Sequence, residues 1–568
     1  MLLFSIIVGL IGGFGAVGFR YLIDFFQFIF YGSADELVDV VETVSWYRRI
    51  AIPAIGGLII GPVVYFFARE AKGHGVPEVM EAVALRNGVI RKRIVVIKTF
   101  ASAVCIGSGG SVGREGPIVQ IGSAAGSAFG QFFKTSGNRM KLLVGCGAAA
   151  GIAATFNAPI AGAMFAFEII LAEYGISIFS PVIISAVTAT AVSRHFLGDV
   201  PAFVVPTYEL ISTWELPMYA VLGFFSAFVG LLFITILYKA EDLFEAVKFP
   251  EYLKAVFGGL ILGASGLLFP QVLGVGYGSI NLALEGNLSW SLMVILCLVK
   301  IFATSITLGS GGSGGIFAPS LFMGSMAGGF FGSIVHKLFP AITAPAGAYS
   351  MVGMGAVVAS TTQGPLSAIL ILMEMTSDYK IILPLMISCI LSSMVANRLS
   401  KGSIYTIKLM KRGVNLSAGK EVSILSSLAV RDVMNPDVET IPEGLKLEQL
   451  AERISKSKHM SFPVVNDQGK LTGILSYIDY HNAFGDENLK HLVVAKDLAT
   501  HNVEVVSVDD NLLHALEKIT KGDFSILPVV ASDDPTKLLG AITRRDMMDA
   551  YNAVVLKRSL ADKLGGAA

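Results

Sequence analysis

Charged residues and cysteines are scarce in this sequence, and each scarcity excludes a class of protein. Charged residues make up 15% of the 568-residue chain, against roughly 25% in an average soluble protein, which disfavours an ordinary soluble enzyme. The four cysteines lie in apolar stretches without metal-ligand spacing, so neither a disulfide framework nor a zinc site is expected. The formal net charge of zero gives no sign of a nucleic-acid partner. Because Walker-type loops and nucleophile–His–Asp arrangements are also missing, we predict a protein that is not an enzyme and requires no metal or cofactor.

The charged residues that are present divide the chain into two parts. They make up about 26% of residues 406–568 but about 11% of the first 405. Apolar segments fill the first part; some, such as 219–238, can span a bilayer, and others are cut short by Gly, Ser and Pro. Broken helices are tolerated at membrane depth where they line a polar cavity, so they indicate a transport pathway. Residues 1–19 lack the basic start and cleavage site of a signal peptide and are interpreted as the first membrane helix, although the natural start could lie upstream.

The membrane part repeats itself once. GSGGSVGREGP at 107–117 and GSGGSGGIFAP at 309–319 agree at seven of eleven positions, at an offset of 202. At an offset of 206, four residues of the first half match four of the second: Gly147, Thr155, Pro159 and Glu168 match Gly353, Thr361, Pro365 and Glu374. Two matches in the same order predict a transporter built from two repeats, which the sequence alone leaves as either parallel or inverted.

Three glycine-rich segments each end in proline and open an apolar helix. Glycine lets neighbouring backbone N–H groups turn into one cavity, and proline suits the first turn of a helix. Helix N-termini carry partial positive charge and unpaired donors, so several that converge bind an anion without a full cation. We therefore predict that they form the selectivity filter of an anion pathway: Gly73, His74, Gly75, Val76 and Pro77; Gly113, Arg114, Glu115, Gly116 and Pro117; Gly315, Ile316, Phe317, Ala318 and Pro319.

Glu115 is the one acid within these three segments. Its carboxylate could occupy the anion site itself and leave that site on protonation, and acids inside a membrane are usually functional. The residue is therefore predicted to act as a gate or as a proton carrier.

In their order and spacing these motifs resemble the signatures of the CLC family of chloride channels and chloride/proton exchangers. The resemblance rests on GHGVP at 73–77, GREGP at 113–117, GIFAP at 315–319, Ser403-Ile404-Tyr405, FNAPIAGAMFAFE at 156–168 and EMTSDYKIILP at 374–384. The tail resembles the paired CBS domains that many CLC proteins carry.

The resemblance implies a fold class and roles for single residues. The fold would be a polytopic all-α membrane protein with two inverted repeats of broken and tilted helices, followed by an α/β CBS-domain pair. The protein would be a homodimer in the lipid bilayer with one chloride pathway in each subunit. Glu115 would be the gating residue, and the anion would be bound by the Tyr405 hydroxyl and the backbone N–H groups of Ile316 and Phe317.

Two residues depart from the family pattern. His74 stands where the family has a central serine; its imidazole N–H could bind the anion and couple binding to pH, or the ring could point away and leave the anion to the backbone. Ile169 stands where exchangers usually carry an inner glutamate, and isoleucine cannot carry a proton. The chain is then either a passive channel or an exchanger whose protons pass by Glu168, Glu173 or water. A structural role is favoured for Glu168, since its repeat mate Glu374 is placed equivalently.

Two pairs of residues in the tail, Ser476 with Asp479 and Thr543 with Asp546, stand at strand-to-helix junctions. CBS pairs use such positions to bind phosphate through a hydroxyl and ribose through an aspartate, and helix N–H groups assist. An adenine nucleotide (ATP, ADP or AMP) is therefore a candidate ligand, although many CBS pairs bind none and only stabilise the dimer.

The predicted domains are a transport domain at 1–407, a linker at 408–426, CBS domains at 427–485 and 490–553, and a tail at 554–568. The basic residues Lys408, Lys411 and Arg412 follow the last span and favour a cytoplasmic tail. The protein is expected to be a multi-pass membrane protein, in the cell membrane if it is prokaryotic.

The leading functional prediction is passive chloride permeation gated by Glu115 and regulated by the CBS domains. The alternative within the family is chloride/proton exchange by a non-standard inner route. Two alternatives from other classes of protein are disfavoured. A CBS-regulated cation transporter would need acidic residues along its pathway, which the membrane part lacks. A nucleotide sensor that uses its membrane part only as an anchor would not need three filter segments.

Overall fold

The computed structural model describes residues 1–203, 205–206, 208–414, 425, 428–457, 459–484, 493–522 and 524–564. The chain divides into two compact units, residues 1–413 and 414–568, and each is described by itself. Residues 415–424 and 426 of the predicted linker, and residues 565–568 of the predicted tail, lie outside the described residues.

The first unit is α-helical in its described residues. Nine of the helices found there are long and apolar enough to cross a bilayer. A 3-10 turn precedes α4 and another precedes α12, and a π-helical turn, Ala166–Leu171, follows α8. In chain order the helices are α1 (Leu2–Tyr31), α2 (Leu37–Thr43), α3 (Trp46–Phe67), α4 (Val76–Leu85), α5 (Arg93–Gly107), α6 (Glu115–Phe132), α7 (Gly137–Phe156), α8 (Pro159–Phe165), α9 (Ile176–Leu197), α10 (Leu216–Ala246), α11 (Glu251–Leu268), α12 (Tyr277–Leu284), α13 (Trp290–Gly309), α14 (Phe317–Leu338), α15 (Ala346–Thr362), α16 (Pro365–Thr376), α17 (Ile382–Leu399) and α18 (Thr406–Lys411).

The helices of the two halves match in order and in packing. Helices α3 to α9 have counterparts in α11 to α17, and α1 has its counterpart in α10. Helix α6 packs on α7 as α14 packs on α15, and α1 packs on α9 as α10 packs on α17. The halves meet where α3 packs on α11 and where α8 packs on α16. The duplication predicted from two short sequence matches therefore extends over whole helical bundles.

Local sequence explains why α8 and α16 are too short to span. Helix α7 is followed by Asn157 and α15 by Gln363, which have φ angles of 58° and 56°. Two residues later, Pro159 and Pro365 open the next helix. A residue in the left-handed conformation ends the first helix. Proline is favoured in the first turn of the next helix, but it cannot lie in the interior of a helix because it lacks an N–H donor. The chain therefore reverses at the same point in both halves.

Glycine pairs allow helices to cross at backbone contact in each half. A Cβ at Gly122 of α6 would lie 2.2 Å from the carbonyl oxygen of Gly147 of α7, and one at Gly147 would lie 2.0 Å from that of Gly122. Gly324 of α14 and Gly353 of α15 have the same reciprocal relation, at 2.3 and 2.4 Å. Small residues at helix crossings are the usual means of close packing in membranes, and no larger side chain fits here unless the helices move apart.

The second unit holds two similar α/β halves. In each, a first strand pairs parallel with a second, which pairs antiparallel with a third. The similar sequences FPVV at 462–465 and LPVV at 527–530 lie in equivalent strands, β2 and β5. The elements are β1 (Ile441–Pro442), α19 (Leu447–Lys456), β2 (Ser461–Val465), β3 (Leu471–Ser476), α20 (Tyr477–Phe484), α21 (Ala495–Leu498), β4 (Val506–Ser507), α22 (Leu512–Gly522), β5 (Ile526–Val530), β6 (Leu538–Thr543) and α23 (Arg544–Leu564).

Each half of the second unit has its own apolar core. The halves also contact each other: Lys470 and Lys537 form one of several antiparallel bridges, and the hydroxyls of Ser461 and Ser525 are 2.8 Å apart. Helix α23 continues past residue 553, the predicted end of the second CBS domain.

Replacement of Gly122 or Gly324 by alanine is expected to destabilise the membrane unit by about 1–3 kcal/mol, the usual cost of overpacking. The new methyl group would meet a backbone carbonyl that cannot move by itself. Gly18→Ala in α1 is the control, because a Cβ there meets nothing within 4 Å. The thermal unfolding midpoint of the detergent-purified protein should fall in G122A and G324A and stay unchanged in G18A. An unchanged midpoint in all three would contradict the reciprocal packing.

Candidate functional site

Backbone hydrogen bonds join the three glycine-rich segments into one cluster. The N–H of Gly73 donates to the carbonyl oxygen of Gly312 at 3.0 Å, and that of Gly314 donates to the carbonyl oxygen of Gly73 at 3.3 Å. Gly113 and Gly315 exchange two hydrogen bonds, of 2.8 and 2.6 Å. The segments predicted to form the filter therefore lie side by side, although they are far apart in the sequence.

Only glycine fits where these segments touch. A Cβ at Gly315 would lie 2.7 Å from the backbone nitrogen of Gly116, and a Cβ at Gly116 would lie 2.3 Å from the carbonyl oxygen of His74. Since α4, α6 and α14 all begin within or directly after these segments, three helix N-termini start from one cluster. This is the arrangement that concentrates partial positive charge.

The carboxylate of Glu115 lies at the N-terminus of α14. Glu115 is 1% exposed; the Tyr277 hydroxyl donates to its Oε1 at 3.0 Å, and the backbone N–H of Ala318 donates to its Oε2 at 3.4 Å. The position where the sequence predicts an anion is thus filled by the chain's own carboxylate. A chloride ion at the same helix end would have to displace it.

Sequence reasoning misses Tyr277. This residue opens α12, the counterpart of α4, and it follows Gly274-Val275-Gly276 as Val76 follows Gly73-His74-Gly75. The fourth segment lacks the proline that marks the other three, so the motif search passes it by. The match of Gly73 and Gly75 with Gly274 and Gly276, at an offset of 201, is the signal that could have found it.

A cavity of about 320 Å³ reaches both neighbours of Glu115, the adjoining Arg114 and the hydrogen-bonded Tyr277. The guanidinium carbon of Arg114 lies 5.4 Å from the centre of the Tyr277 ring. Arg20, Asp24 and Asn157 also line the cavity. The charged groups of the lining are two arginines, Arg20 and Arg114, and three acids, Asp24, Asp35 and Glu36, so the preference for anions has to come from the helix N-termini rather than from the cavity lining.

His74 and Tyr405 face each other. Their ring centroids lie 5.7 Å apart, and both residues are buried. Neither ring nitrogen of His74 has a hydrogen-bond partner within the described part of the chain. Ile316 and Phe317 are buried at the start of α14, where Phe317 packs on Phe156 with ring centroids 5.6 Å apart. The structure therefore places all four predicted anion-binding residues in or beside the cluster of helix N-termini.

Two buried lysines lie behind the glycine-rich segments, and sequence reasoning misses both. The Lys98 ammonium donates to the carbonyl oxygens of Gly73 and Ala71, at 2.7 and 3.0 Å. Lys300 is the repeat mate of Lys98, at an offset of 202. Its ammonium donates to the carbonyl oxygens of Gly274 and Val272, at 2.9 and 3.0 Å. Burying a charged lysine within an apolar membrane helix costs free energy, so such a residue usually has a function. A search of the sequence for lysines inside apolar segments could therefore have found both.

Glu168 and Glu374 cap each other's helices. The carboxylate of Glu168 accepts hydrogen bonds from the N–H groups of Leu366 and Ser367 in the first turn of α16, at 3.2 and 2.7 Å. Glu374, within α16, accepts in turn from two N–H groups in the first turn of α8, at 3.2 and 2.7 Å. The N–H groups in the first turn of a helix have no partner within that helix. Both glutamates therefore have a structural role as helix caps, which is the role that the repeat predicts for Glu168.

The described residues offer no free acid at the usual inner proton position. Ile169 is apolar and 6% exposed, the neighbouring Glu168 is engaged at the start of α16, and Glu173 is exposed. The route by which protons would pass this side of the site is therefore not the one typical of the family.

The two residue pairs predicted to bind a nucleotide form matching helix caps in the second unit. Asp479 Oδ2 accepts from the N–H and the hydroxyl of Ser476, at 3.0 and 2.6 Å. Asp546 Oδ2 accepts from the N–H and the hydroxyl of Thr543, at 2.9 and 2.7 Å. The two strand-to-helix junctions, at the starts of α20 and α23, are built alike.

Residues 56–397, more than half of the chain, match the family described as voltage gated chloride channel. The chain belongs to this family, the CLC family. Residues 430–485 and 495–553 match the CBS domain. The fold class predicted from the sequence is thereby confirmed: a multi-pass, CLC-type membrane domain of two inverted repeats with a CBS pair at its C-terminal end. Chloride transport is the activity that membership of the CLC family supports.

Three similar proteins illustrate the range of the CLC family. A putative chloride channel protein, ClcB-like, of Ralstonia nicotianae is 34% identical over 415 residues, which cover 72% of this chain and 97% of that protein. The H(+)/Cl(−) exchange transporter ClcA of Vibrio parahaemolyticus is 34% identical over 415 residues, which cover 72% and 88%. The crystal structure of a slow cyanobacterial Cl−/H+ antiporter matches with a TM-score of 0.67 at 27% identity, covering 72% of this chain and 97% of that one.

Glu168→Gln and Glu374→Gln are each expected to destabilise this CLC protein by about 1 kcal/mol or more, because a charge-assisted cap is lost. Chloride transport and any proton coupling should persist in both variants. Glu173→Gln, at an exposed position, should change stability by less than about 0.5 kcal/mol. The measurements are thermal unfolding and flux in liposomes. Loss of proton coupling in E168Q at unchanged stability would instead make Glu168 a proton carrier.

Proposed function

We propose that this CLC protein exchanges chloride for protons, with Glu115 as the residue that both blocks the chloride site and carries the proton. The observation that carries the proposal is the Glu115 carboxylate at the start of α14, held by Tyr277 and by the N–H of Ala318. An ionised carboxylate is attracted by a helix N-terminus, whereas a protonated one is not. Protonation therefore releases the site to chloride and loads Glu115 with the proton.

The similar proteins support exchange more strongly than passive permeation. One relative is named an exchange transporter, and the similar crystal structure is that of an antiporter. The prediction of a passive channel rested on Ile169 alone, and it becomes the second candidate. It keeps some support from that residue and from the relative named a putative chloride channel.

We infer that chloride binds where His74, Tyr405 and the start of α14 come together. The His74 ring nitrogens are buried and without a partner among the described residues, and the ring faces Tyr405 rather than pointing away. The N–H groups of Ile316 and Phe317 are the backbone donors nearest the helix start. Lys98 adds positive charge through the carbonyl of Gly73 without contacting the ion.

We propose a homodimer with one pathway in each subunit, and a tail that lies in the cytoplasm. The basic residues Lys408, Lys411 and Arg412 at the end of α18 support this orientation. The division proposed is a transport domain at 1–407, a linker at 408–426, CBS domains at 427–485 and 490–553, and a tail at 554–568.

We also propose that the CBS pair binds an adenine nucleotide and regulates transport. The matching junctions at Ser476 and Thr543 support this, because each places a hydroxyl and an aspartate at the start of a helix, where phosphate binds readily.

In chloride-loaded liposomes under crossed chloride and pH gradients, the reversal potential of the wild-type protein is expected to shift with the pH gradient. Glu115→Gln should keep chloride flux but lose this shift, since an amide cannot carry the proton. Glu173→Gln serves as the exposed control and should behave as wild type. A wild-type potential set by chloride alone would favour the passive channel, and a lack of chloride flux would contradict the assigned transport activity.

Radiolabelled ATP, ADP and AMP should bind to the purified full-length protein, and Asp546→Asn or Asp479→Asn should weaken binding about tenfold or more, which is at least 1.4 kcal/mol. Asp467→Asn, on an exposed turn between β2 and β3, is the matched control. Thermal unfolding of each variant shows whether the helix cap has survived. If the wild-type protein binds none of the three nucleotides at millimolar concentration, the CBS pair has a structural role instead.

A further inference from the structure

An exchanger needs a route for protons between Glu115 and the far side of the membrane, and the described residues provide no protonatable side chain at the usual position. Ile169 is apolar, and Glu168 is engaged at the start of α16. We propose that His74 is this group and that it takes up a proton together with chloride. The proposal rests on the exchange activity proposed above and names the residue that completes it.

The first observation is that the imidazole of His74 is buried but unsatisfied. His74 is 3% exposed, and neither Nδ1 nor Nε2 has a hydrogen-bond partner among the described residues. Buried polar groups in folded proteins are nearly always hydrogen-bonded. An imidazole that the fold leaves unpaired on both nitrogens is available to transported ions: protonated, it presents two N–H donors, and neutral, it presents one donor and one acceptor.

The second observation is the position of His74 relative to Glu115. The carbonyl oxygen of His74 lies so close to Gly116, the residue after Glu115, that a Cβ there would be 2.3 Å away. The His74 ring lies beside Tyr405, 5.7 Å between centroids. His74 and Glu115 therefore belong to the same cluster of helix N-termini.

The third observation is the charge around the ring. Two ammonium groups approach Gly73, the residue before His74: that of Lys98 is 2.7 Å from its carbonyl oxygen, and that of Lys408 would be 2.6 Å from a Cβ placed there. Glu78, on the helix that follows His74, is shared between Lys408 at 3.9 Å and Arg412 at 3.1 Å. The titratable and charged groups near His74 are thus Lys98, Lys408, Arg412, Glu78, Tyr405 and Glu115.

These charges make protonation of His74 conditional on chloride. Burial and nearby cations both oppose an imidazolium, whereas an anion in contact with the ring favours it. His74 is therefore expected to be neutral when the site holds no anion and to gain a proton when chloride binds. In the transfer that follows, the N–H bond of His74 breaks and its electron pair stays on nitrogen. A lone pair of the Glu115 carboxylate forms the new O–H bond, so the imidazole and the carboxylic acid are both neutral afterwards.

Proton uptake on chloride binding tests this directly. Titration calorimetry with sodium chloride, in buffers of different ionisation enthalpy between about pH 5 and 8, counts the protons taken up for each chloride. The Glu115→Gln background removes the competing carboxylate. We expect uptake in E115Q and its loss in E115Q/H74S. The uptake is counted for each chloride bound, so a change in chloride affinity at this binding residue does not affect the comparison. Equal uptake in the two proteins would overturn the proposal.

Transport supplies a second readout. In liposomes that contain H74S or H74N, the reversal potential should lose its dependence on the pH gradient. The reversal potential reports the coupling and not the rate of transport, so a change in chloride flux at this binding residue does not affect the readout. Asparagine keeps a polar side chain of similar size that cannot be protonated, so H74N covers the case in which H74S does not fold. Ile169→Glu added to H74S should restore the dependence, and Ile169→Leu should not. Wild-type coupling in both H74S and H74N would overturn the proposal.

The two readouts separate this proposal from exchange itself. Coupling that is present in the wild type and survives in both His74 variants would leave exchange standing and remove His74 from it. Conversely, a wild-type protein that shows no coupled transport, yet binds a proton with chloride only when His74 is present, would overturn exchange and support the coupled protonation.

Discussion

The two hydrogen bonds between Gly113 and Gly315 are the constraint on which the rest of the site depends. They join the start of α6 to the start of α14 across the two repeats, at a distance that only glycine allows. Backbone groups that bond each other in this way are no longer available to a ligand. Three residues after Gly315, the N–H of Ala318 remains available to an acidic partner, and it donates to the carboxylate of Glu115. A backbone contact thus decides which side chain competes with the transported ion.

Much of this arrangement is predictable from the sequence because it depends on residues that are close together in the chain. Glycine and proline mark where helices start, and the two matches at offsets of 202 and 206 predict the duplication. The function of Glu168 is also suggested by its repeat mate. Its partners are not predictable, because the donors lie about 200 residues away at the start of another helix and no periodicity encodes such a contact.

The residues that sequence reasoning misses share a physical feature: their role depends on tertiary contacts that form only when the chain is folded. Tyr277 has no proline beside it, and its hydroxyl finds Glu115 across the boundary between the two halves. Lys98 and Lys300 lie in ordinary apolar helices, and their importance follows from the carbonyl groups they meet. In the opposite direction, the leading prediction of a passive channel gave too much weight to Ile169. A missing acid at one position excludes that route and leaves every other protonatable group in the pathway open.

The placement of the lysines explains how positive charge can serve transport without trapping the ion. Each ammonium is fully buried and donates to two carbonyl oxygens behind a glycine-rich segment. An ammonium in direct contact with chloride at low dielectric would hold it strongly, whereas conduction needs a site that is occupied and then released. With the lysines set back, the ion meets partial charges from helix N-termini and neutral donors. Under these conditions a single added proton, on Glu115 or on His74, is a large change in the local field, and this sensitivity is what a coupled exchanger requires.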